Sequence, residues 1–168
     1  MKEDSLISLT ADKYGHIPIN MPEDQSLNLS PCHCAALRKA ARRVTQLYDA
    51  GLAPTGLTVT QFSTLAEVAR SGRRPPTMGQ LSENLGMDRS TLGHNLRPLE
   101  RDRLINLVPG ETDRRSRRVS LTPAGKAKFT EALALWKKVQ KRFESTYGSE
   151  PAAQLRTTLH DLSKRNLL

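Results

Sequence analysis

Two short amphipathic segments, separated only by the tripeptide Gly86-Met87-Asp88, restrict the fold of this chain more than any other pattern in it. The first segment begins with a capping-box pattern, in which Thr77 is followed three residues later by Gln80. Gly86 predicts the end of that helix, because glycine readily adopts the left-handed conformation of a helix terminus. Asp88 can cap the second helix, whose apolar positions are Leu92, Leu96 and Leu99. Two short helices joined by such a tight turn are typical of a helix-turn-helix.

A change of periodicity follows the second helix. Residues 104–108 and 116–121 predict two strands, and residues 109–113 between them contain the proline, glycine and aspartate of a turn region. Four arginines lie within the six residues from Asp113 to Arg118, and one strand cannot direct all of them inward. A basic β-hairpin directly after a helix-turn-helix predicts a wing.

Helical patterns also flank this central region. They predict a first helix between Pro31 and Gly51, a second from the capping box Thr58 and Gln61, a long helix from Thr122-Pro123 to about Tyr147, and a last helix from Ser149. The long helix exceeds the average of about 11 to 12 residues, and the first and last helices carry apolar stripes that need a partner surface. A two-fold dimer supplies one most simply, with a monomeric helical bundle as the alternative. The predicted fold is mainly α with a small β-hairpin wing.

The charge of the chain indicates a polyanionic partner. It has 26 Lys and Arg residues against 17 Asp and Glu residues, which gives a formal net charge of +9 and a pI near 10.0. Nucleic acid is favoured over a membrane surface as that partner. No apolar run approaches the roughly 20 residues that span a bilayer. The opening MKEDSLISLT does not resemble a signal peptide, and a cytoplasmic protein is expected. Neither an enzyme nor a cofactor is expected, because the sequence holds no phosphate loop, metalloprotease motif or nucleophile elbow.

Three stretches of the sequence resemble the MarR family of winged-helix regulators. The run LSENLGMDRSTL at residues 81–92 is similar to the helix-turn-helix of that family, and LERDRLI at residues 99–105 to the end of its recognition helix. Asp113-Arg114-Arg115 and VSLTPAG at residues 119–125 are similar to its wing and the start of its long helix. The resemblance covers roughly residues 32–147. It implies a homodimer that binds a pseudo-palindromic site on double-stranded DNA, usually as a repressor, and no membrane partner.

The resemblance also implies a winged helix-turn-helix with long terminal dimerisation helices. The chain would then divide into four parts: an N-terminal extension (1–31), a dimerisation helix and loop (32–57), a winged helix-turn-helix DNA-binding domain (58–121) and C-terminal dimerisation helices (122–168).

The predicted recognition helix, from Asp88 to Arg103, carries polar side chains on the side away from its leucines. The candidates for DNA contact on it are Arg89, Ser90, Thr91, His94 and Arg97, of which Ser90, Thr91 and Arg97 are favoured. Small hydroxylated residues allow a close approach to base edges, and an arginine can reach a guanine or a phosphate. Pro98 removes one hydrogen bond of this helix and predicts a kink after the base-reading turn.

The wing supplies the second group of candidates, namely Asp113, Arg114, Arg115 and Arg117. Positive charge beside a recognition helix favours phosphate and minor-groove contact over a merely solvated surface. The resemblance implies that Asp113 and Arg115 form the Asp-x-Arg pair of the family's wing, in which the arginine enters the minor groove.

Two kinds of signal are compatible with the sequence, and the first is oxidation. Cys32 and Cys34 lie at the start of the first helix, where the helix dipole and Arg38 favour a thiolate. Cys34 and Tyr48, fourteen residues apart, also resemble the organic-hydroperoxide-sensing branch of the MarR family, although Arg38 stands in the place of a second tyrosine. A buried, inert cysteine is the alternative. No metal site is expected, because Cys32-His33-Cys34 matches no zinc pattern.

The second kind of signal is a small aromatic or anionic ligand. Many members of the MarR family bind such compounds between the dimerisation helices and the winged domain. Arg38, Arg42 and Arg43 are candidates for the counter-charge, although basic residues on a helix are more often only solvated.

Two other nucleic-acid functions stay open as alternatives. Non-specific, chromatin-like DNA binding is favoured by the charge, and it differs from regulation by giving all sequences similar affinity. RNA binding is disfavoured, because the few aromatic residues form no stacking cluster near the wing.

Overall fold

The computed structural model describes residues 32–72, 74–110 and 116–165. In chain order the elements are α1 (His33–Leu52), a 3-10 turn (Ala53–Thr55), α2 (Val59–Arg70), α3 (Met78–Leu85), α4 (Arg89–Arg101), β1 (Ile105–Pro109), β2 (Arg117–Leu121), α5 (Pro123–Tyr147) and α6 (Ser149–Lys164). The prediction of a mainly helical chain with one small β-hairpin is confirmed. No helix in the described ranges is long and apolar enough to cross a membrane.

The helices begin where the sequence carries capping side chains. Thr58 and Thr77 each form a complete capping box, with Gln61 and Gln80 returning a side-chain oxygen to the backbone N–H of the cap. The Thr122 hydroxyl accepts the N–H of Gly125 at 2.9 Å and so begins α5. These groups satisfy backbone donors that have no partner inside a helix, which fixes the first residue of each helix.

The ends of α3 and α4 place the recognition helix. Gly86 has φ 63° and donates its N–H to Glu83, while the N–H of Met87 bonds the carbonyl of Ser82. This left-handed termination turns the chain directly into α4, as the glycine predicted. α4 continues through Pro98 and ends at Arg101, two residues before the predicted end.

The core joins the central helices to the hairpin and to α5. Its most deeply buried side chains are Leu52, Leu65, Leu81, Leu92, Leu96, Leu99, Ile105 and Val119. Phe62 of α2 stacks against Phe129 and Trp136 of α5, with ring centroids 5.7 and 5.8 Å apart. Aromatic contacts of this kind add to the burial of apolar area, so α2 and α5 are held firmly together.

The hairpin packs against the loop that precedes α3. β1 and β2 are antiparallel, with Leu107 opposite Val119. Thr77 forms a further β-bridge with Arg118, and the N–H of Val119 donates to the carbonyl of Pro76 at 2.9 Å. The wing is therefore anchored at its base to the start of the helix-turn-helix.

Parts of the terminal helices remain uncovered in the single chain. Leu37 and Val44 of α1 are 42% and 36% exposed, and Leu159 of α6 is 41% exposed. In α1 the only buried residue is Leu52, at its C-terminal end. These apolar side chains face away from the core described above.

Candidate nucleic-acid interface

One side of α4 is polar and open to solvent. Its exposed residues are Arg89, Ser90, Thr91, His94 and Arg97, whereas the leucines of the opposite side are buried. Ser90, His94 and Arg97 are spaced by four and three residues, so they lie on one face of the helix. The structure therefore leaves all five candidates of this helix exposed and brings Ser90, His94 and Arg97 onto one face.

The start of α4 has a defined hydrogen-bonding arrangement. The hydroxyls of Ser90 and Thr91 donate to the two carboxylate oxygens of Asp88 at 2.7 and 2.6 Å, and the N–H of Thr91 donates to Asp88 at 2.8 Å. Hydrogen bonds first from Thr91 and then from Ser90 hold the pKa of Asp88 well below its usual range. Because both hydroxyl protons go to Asp88, the oxygens of Ser90 and Thr91 are left as acceptors for base-edge donors.

Arg89 has a different orientation from the other candidates. One of its terminal nitrogens, Nη2, lies 3.9 Å from the position that a Cβ on Gly79 would occupy. The guanidinium thus lies beside the first turn of α3, at van der Waals distance from where a Cβ on Gly79 would be. Arg97 and His94, by contrast, are exposed further along the helix.

Two adjacent arginines of β2 have different environments. Arg117, which pairs with Pro109 at the far end of the hairpin, is exposed, while Arg118 is partly buried and donates from Nη1 to the carbonyl of Pro75 at 2.7 Å. Arg118 is thereby occupied in holding the loop before α3. The candidates Asp113, Arg114 and Arg115 lie outside the described residues.

Two supporting contacts were not anticipated from the sequence. Glu67 of α2 is 7% exposed, accepts a hydrogen bond from Nδ2 of Asn84 at 2.8 Å and pairs with Arg70 at 3.1 Å. The other contact is the bond from Arg118 to Pro75. Both join residues far apart in the chain, and no local pattern marks the partners.

The candidate sensing residues are spread along α1. Cys32 is the N-cap, its Sγ accepts the N–H of Ala35 at 3.4 Å, and both Cys32 and Cys34 are exposed. Arg38 is exposed one turn further on. Tyr48 lies fourteen residues after Cys34, which is about 21 Å along the helix axis, so the two do not meet within one chain. The described residues contain no cluster of three or more metal-binding side chains.

Tyr48 contacts the long helix instead. Its hydroxyl donates to Oε1 of Gln140, and Nε2 of Gln140 donates to Glu144 at 3.0 Å. Burial raises the pKa of Tyr48 and the charge of Glu144 adds to this, against a lowering by Arg156 of α6. The residue thus belongs to a polar cluster at the junction of α1, α5 and α6.

A cleft of about 420 Å³ lies between the end of α2, the hairpin and the first turn of α5. Its lining is mainly apolar, with one hydroxyl and one ammonium group, and consists of Val68, Ala69, Gly72, Pro75, Ser120, Leu121 and Lys126. The arginines proposed from the sequence as a ligand counter-charge, Arg38, Arg42 and Arg43, do not line it.

Comparisons with known proteins agree with this geometry. A family model described as the MarR family matches residues 55–116. The transcriptional regulator MosR of M. tuberculosis, solved in complex with DNA, is 37% identical with a TM-score of 0.71, and the match covers 79% of this chain and 94% of that one. The transcriptional repressor CouR bound to a 23-mer DNA duplex is 25% identical with a TM-score of 0.71, over 79% of this chain and 93% of that one.

CouR from Rhodococcus jostii bound to p-coumaroyl-CoA shares the fold, at 22% identity and a TM-score of 0.67 over 79% of this chain and 92% of that one. Among curated proteins, no sequence matches this chain.

Proposed function

Because this chain belongs to the MarR family and is a sequence-specific DNA-binding transcriptional regulator, we propose that it acts as a homodimeric repressor. Two α4 helices, one from each protomer, read the halves of a pseudo-palindromic duplex. The observation that carries this proposal is the exposed polar face of α4 opposite its buried leucines. We assign the protein to the cytoplasm, with no catalytic activity and no cofactor.

In this proposal the contacts divide between bases and backbone. Ser90, Thr91 and Arg97 face the base edges of the major groove, with Arg89 and His94 beside them. Arg117 and the residues of the wing, Asp113, Arg114 and Arg115, approach phosphates and the minor groove. The solved complex of MosR with DNA, at 37% identity, supports DNA as the partner.

The dimer is supported by the uncovered apolar residues of the terminal helices. Leu37, Val44 and Leu159 are each more than one third exposed in the single chain. Pairing of α1 and α6 with the same helices of a second copy would bury them in a closed two-fold arrangement. It would also bring two recognition helices onto one duplex.

We propose cysteine oxidation as the releasing signal, with Cys34 as the reacting residue. Both thiols are exposed at the N-terminal end of α1, where an oxidant can reach them. The thiolate of Cys34 attacks the terminal oxygen of an organic hydroperoxide and the O–O bond breaks, so that the hydroxyl joins the sulfur as a sulfenic acid while the alkoxide takes a proton from solvent and leaves as the alcohol. An intrachain disulfide with Cys32 is geometrically awkward across the single intervening residue, and Arg38, exposed one turn after Cys34, is a candidate to stabilise the oxidised side chain.

A small anionic ligand is the second candidate signal, and the cleft beside α5 favours it. The volume of this cleft, about 420 Å³, falls in the range of small-molecule sites, and Lys126 offers a counter-charge among its mainly apolar lining residues. A ligand that prefers a non-binding arrangement of the protein would lower its population on DNA.

The DNA contacts are tested by fluorescence-anisotropy titration of Arg97→Ala and Arg115→Ala with operator duplex. We expect each to weaken binding while the oligomeric state stays that of the wild type. Loss of about 1 to 3 kcal/mol with relaxed sequence preference would identify a base contact, and uniform weakening a phosphate contact. Normal binding by Arg115→Ala would refute the assignment of the wing.

The signal is tested by adding cumene hydroperoxide to the preformed complex. We expect Cys34→Ser to stay bound and Cys32→Ser to be released much as the wild type is. Equal responses of the two variants would remove the case for Cys34. Release by a benzoate-type acid, abolished in Lys126→Ala but insensitive to both serine variants, would favour the ligand instead.

A further inference from the structure

The end of the recognition helix and the start of α5 meet in a contact that we call the α4–α5 joint, formed by Arg103, Leu104, Thr122 and Gly125. The hydroxyl of Thr122 donates to the carbonyl of Arg103 at 2.7 Å, and its N–H donates to the carbonyl of Leu104 at 3.1 Å. The same hydroxyl accepts the N–H of Gly125. One side chain thus caps α5 and ties it to the residues that end α4.

Gly125 allows this contact to be unusually close. A Cβ at this position would lie 1.9 Å from the carbonyl oxygen of Leu104 and 2.8 Å from its carbonyl carbon. The obstacle is backbone, so no rotamer change could relieve it. Any residue larger than glycine must therefore move α5 away from the end of α4.

The α4 side of the joint is equally fixed. Arg103 has φ 56° and is the only residue other than glycine with positive φ in the described ranges. Its N–H bonds the carbonyl of Glu100 at 2.9 Å, and the N–H of Leu104 bonds the carbonyl of Leu99 at 2.8 Å. These two hydrogen bonds form a Schellman motif, which restricts the conformation of the turn.

α5 is tied to the rest of the chain on its other sides. Phe62 stacks on Phe129 and Trp136, and Gly51 packs closely on Val139 where α1 crosses α5. The joint therefore connects the recognition helix to α5, which packs on α1, one of the two helices proposed to pair in the dimer.

We propose that Thr122 and Gly125 are positioning residues for DNA recognition, because the α4–α5 joint fixes the direction of α4 relative to α5. Through the two-fold axis it sets the separation of the two recognition helices and so the half-site spacing that the dimer accepts. This inference rests on the proposed dimeric function, and neither residue need touch DNA.

A purely structural role would make a different prediction. If the joint only stabilised the fold, its loss would lower the amount of active protein and weaken binding to every duplex alike. A positioning role changes the preference among duplexes whose half-sites differ in spacing. The two roles are distinguished by the ratio of affinities for duplexes of different half-site spacing, because this ratio does not depend on the fraction of protein that is active.

The experiment measures binding of full-length protein to duplexes whose half-sites are separated by the native spacing or by one base pair more or less. The variants are Thr122→Val, which keeps the β-branched shape but removes the hydroxyl, Thr122→Ser, which keeps the hydroxyl, and Gly125→Ala. Ala124→Ser, an exposed position on the same turn, is the control. Thermal unfolding and sedimentation establish that each variant is folded and dimeric.

We expect the wild type, Ala124→Ser and Thr122→Ser to prefer the native spacing by at least about fivefold. Thr122→Val should lose most of this preference, and Gly125→Ala should lose it or move it to another spacing. If Gly125→Ala fails to fold, the comparison of Thr122→Val with Thr122→Ser tests the inference by itself. If Thr122→Val keeps the wild-type spacing preference, or loses affinity equally at all spacings, the inference is overturned. The proposed function is left intact by either result. A wild type that binds every duplex alike overturns the proposed function and the inference with it.

Discussion

At the scale of single residues, the chain uses neighbouring side chains of one type for different purposes. Arg117 and Arg118 follow each other on β2, yet only Arg117 is open to solvent. Arg118 is directed to the carbonyl of Pro75, because alternate residues of a strand point to opposite faces. One arginine is therefore available to DNA and the other supports the helix-turn-helix.

Replacing each arginine should separate the two purposes. Arg118→Met should lower the free energy of unfolding by about 1 to 3 kcal/mol, because a charged hydrogen bond is lost and the carbonyl of Pro75 loses its partner. Arg117→Ala should leave stability within about 0.5 kcal/mol but reduce the slope of log K against log salt by about 1 per subunit. Urea unfolding and salt-dependent DNA titration measure these quantities. Equal effects of both substitutions on stability would contradict the distinction.

Asp88 makes the stability of α4 depend on pH. Its pKa is lowered in the folded chain, so its contribution is complete above the unfolded value of about 3.9 and is lost as the pH falls below that value. Asp88→Asn keeps a capping side chain but does not titrate. The wild type should therefore exceed Asp88→Asn in stability near neutral pH, and the difference should shrink at about pH 3. A difference independent of pH in urea unfolding would argue against this role.

At the scale of elements, the crossing of α1 and α5 depends on one glycine. A Cβ on Gly51 would lie 2.1 Å from Cγ2 of Val139, a side chain that is itself buried and stiff. The two helices consequently approach more closely than larger residues would permit.

Gly51→Ala should destabilise the fold by about 1 to 3 kcal/mol through overpacking. Val139→Ala creates the missing space, so the double variant should be more stable than the sum of the single effects predicts. Denaturant unfolding of the four proteins in this cycle measures the coupling. Additive effects on the free energy of unfolding would show that the side chains at the two positions do not overpack.

Element boundaries were predictable from the sequence where their cause is local. The capping boxes at Thr58 and Thr77, the left-handed Gly86 and the Thr122-Pro123 start each depend on residues within one turn of the boundary. The exposed side of α4 followed equally from the spacing of its leucines.

Contacts between distant elements were not predictable in the same way. Arg118 and Pro75 are separated by 43 residues, and the sequence alone counts Arg118 only as part of a basic run. Gly125 looked like one residue of a motif, whereas its function depends on the approach of Leu104 from a different element. The continuation of α4 past Pro98, by contrast, was predicted, and the packing of Leu96 and Leu99 outweighs the one missing backbone bond.

At the scale of the whole molecule, the winged region buries its apolar side chains within one chain, whereas α1 and α6 leave some of theirs exposed. Leu37 and Leu159 are about two fifths exposed, and only Ala152 of α6 is buried. Exposed leucines scattered singly would need no explanation, but these lie on the helices proposed to pair. In the proposed dimer a second copy of the chain covers them.

A charge on this surface should separate the protomers. Leu159→Lys should shift the protein toward monomer. Binding to a two-half-site duplex should then weaken by about 10² or more, because the two protomers bind their half-sites independently. Thr157→Lys, exposed on the same helix, adds the same charge as a control. Sedimentation velocity would count against the proposed interface if Leu159→Lys stayed dimeric.

Specific reading of DNA by paired α4 helices is tested most directly by one titration. Reduced wild-type protein is added to the duplex upstream of its own gene and to random DNA of equal length, at about 0.15 M salt. We expect an affinity ratio of about 10³ or more in favour of the upstream duplex, and a smaller ratio when Arg97 is replaced by alanine. Equal affinity for the two duplexes would contradict it and indicate a non-specific DNA-binding protein.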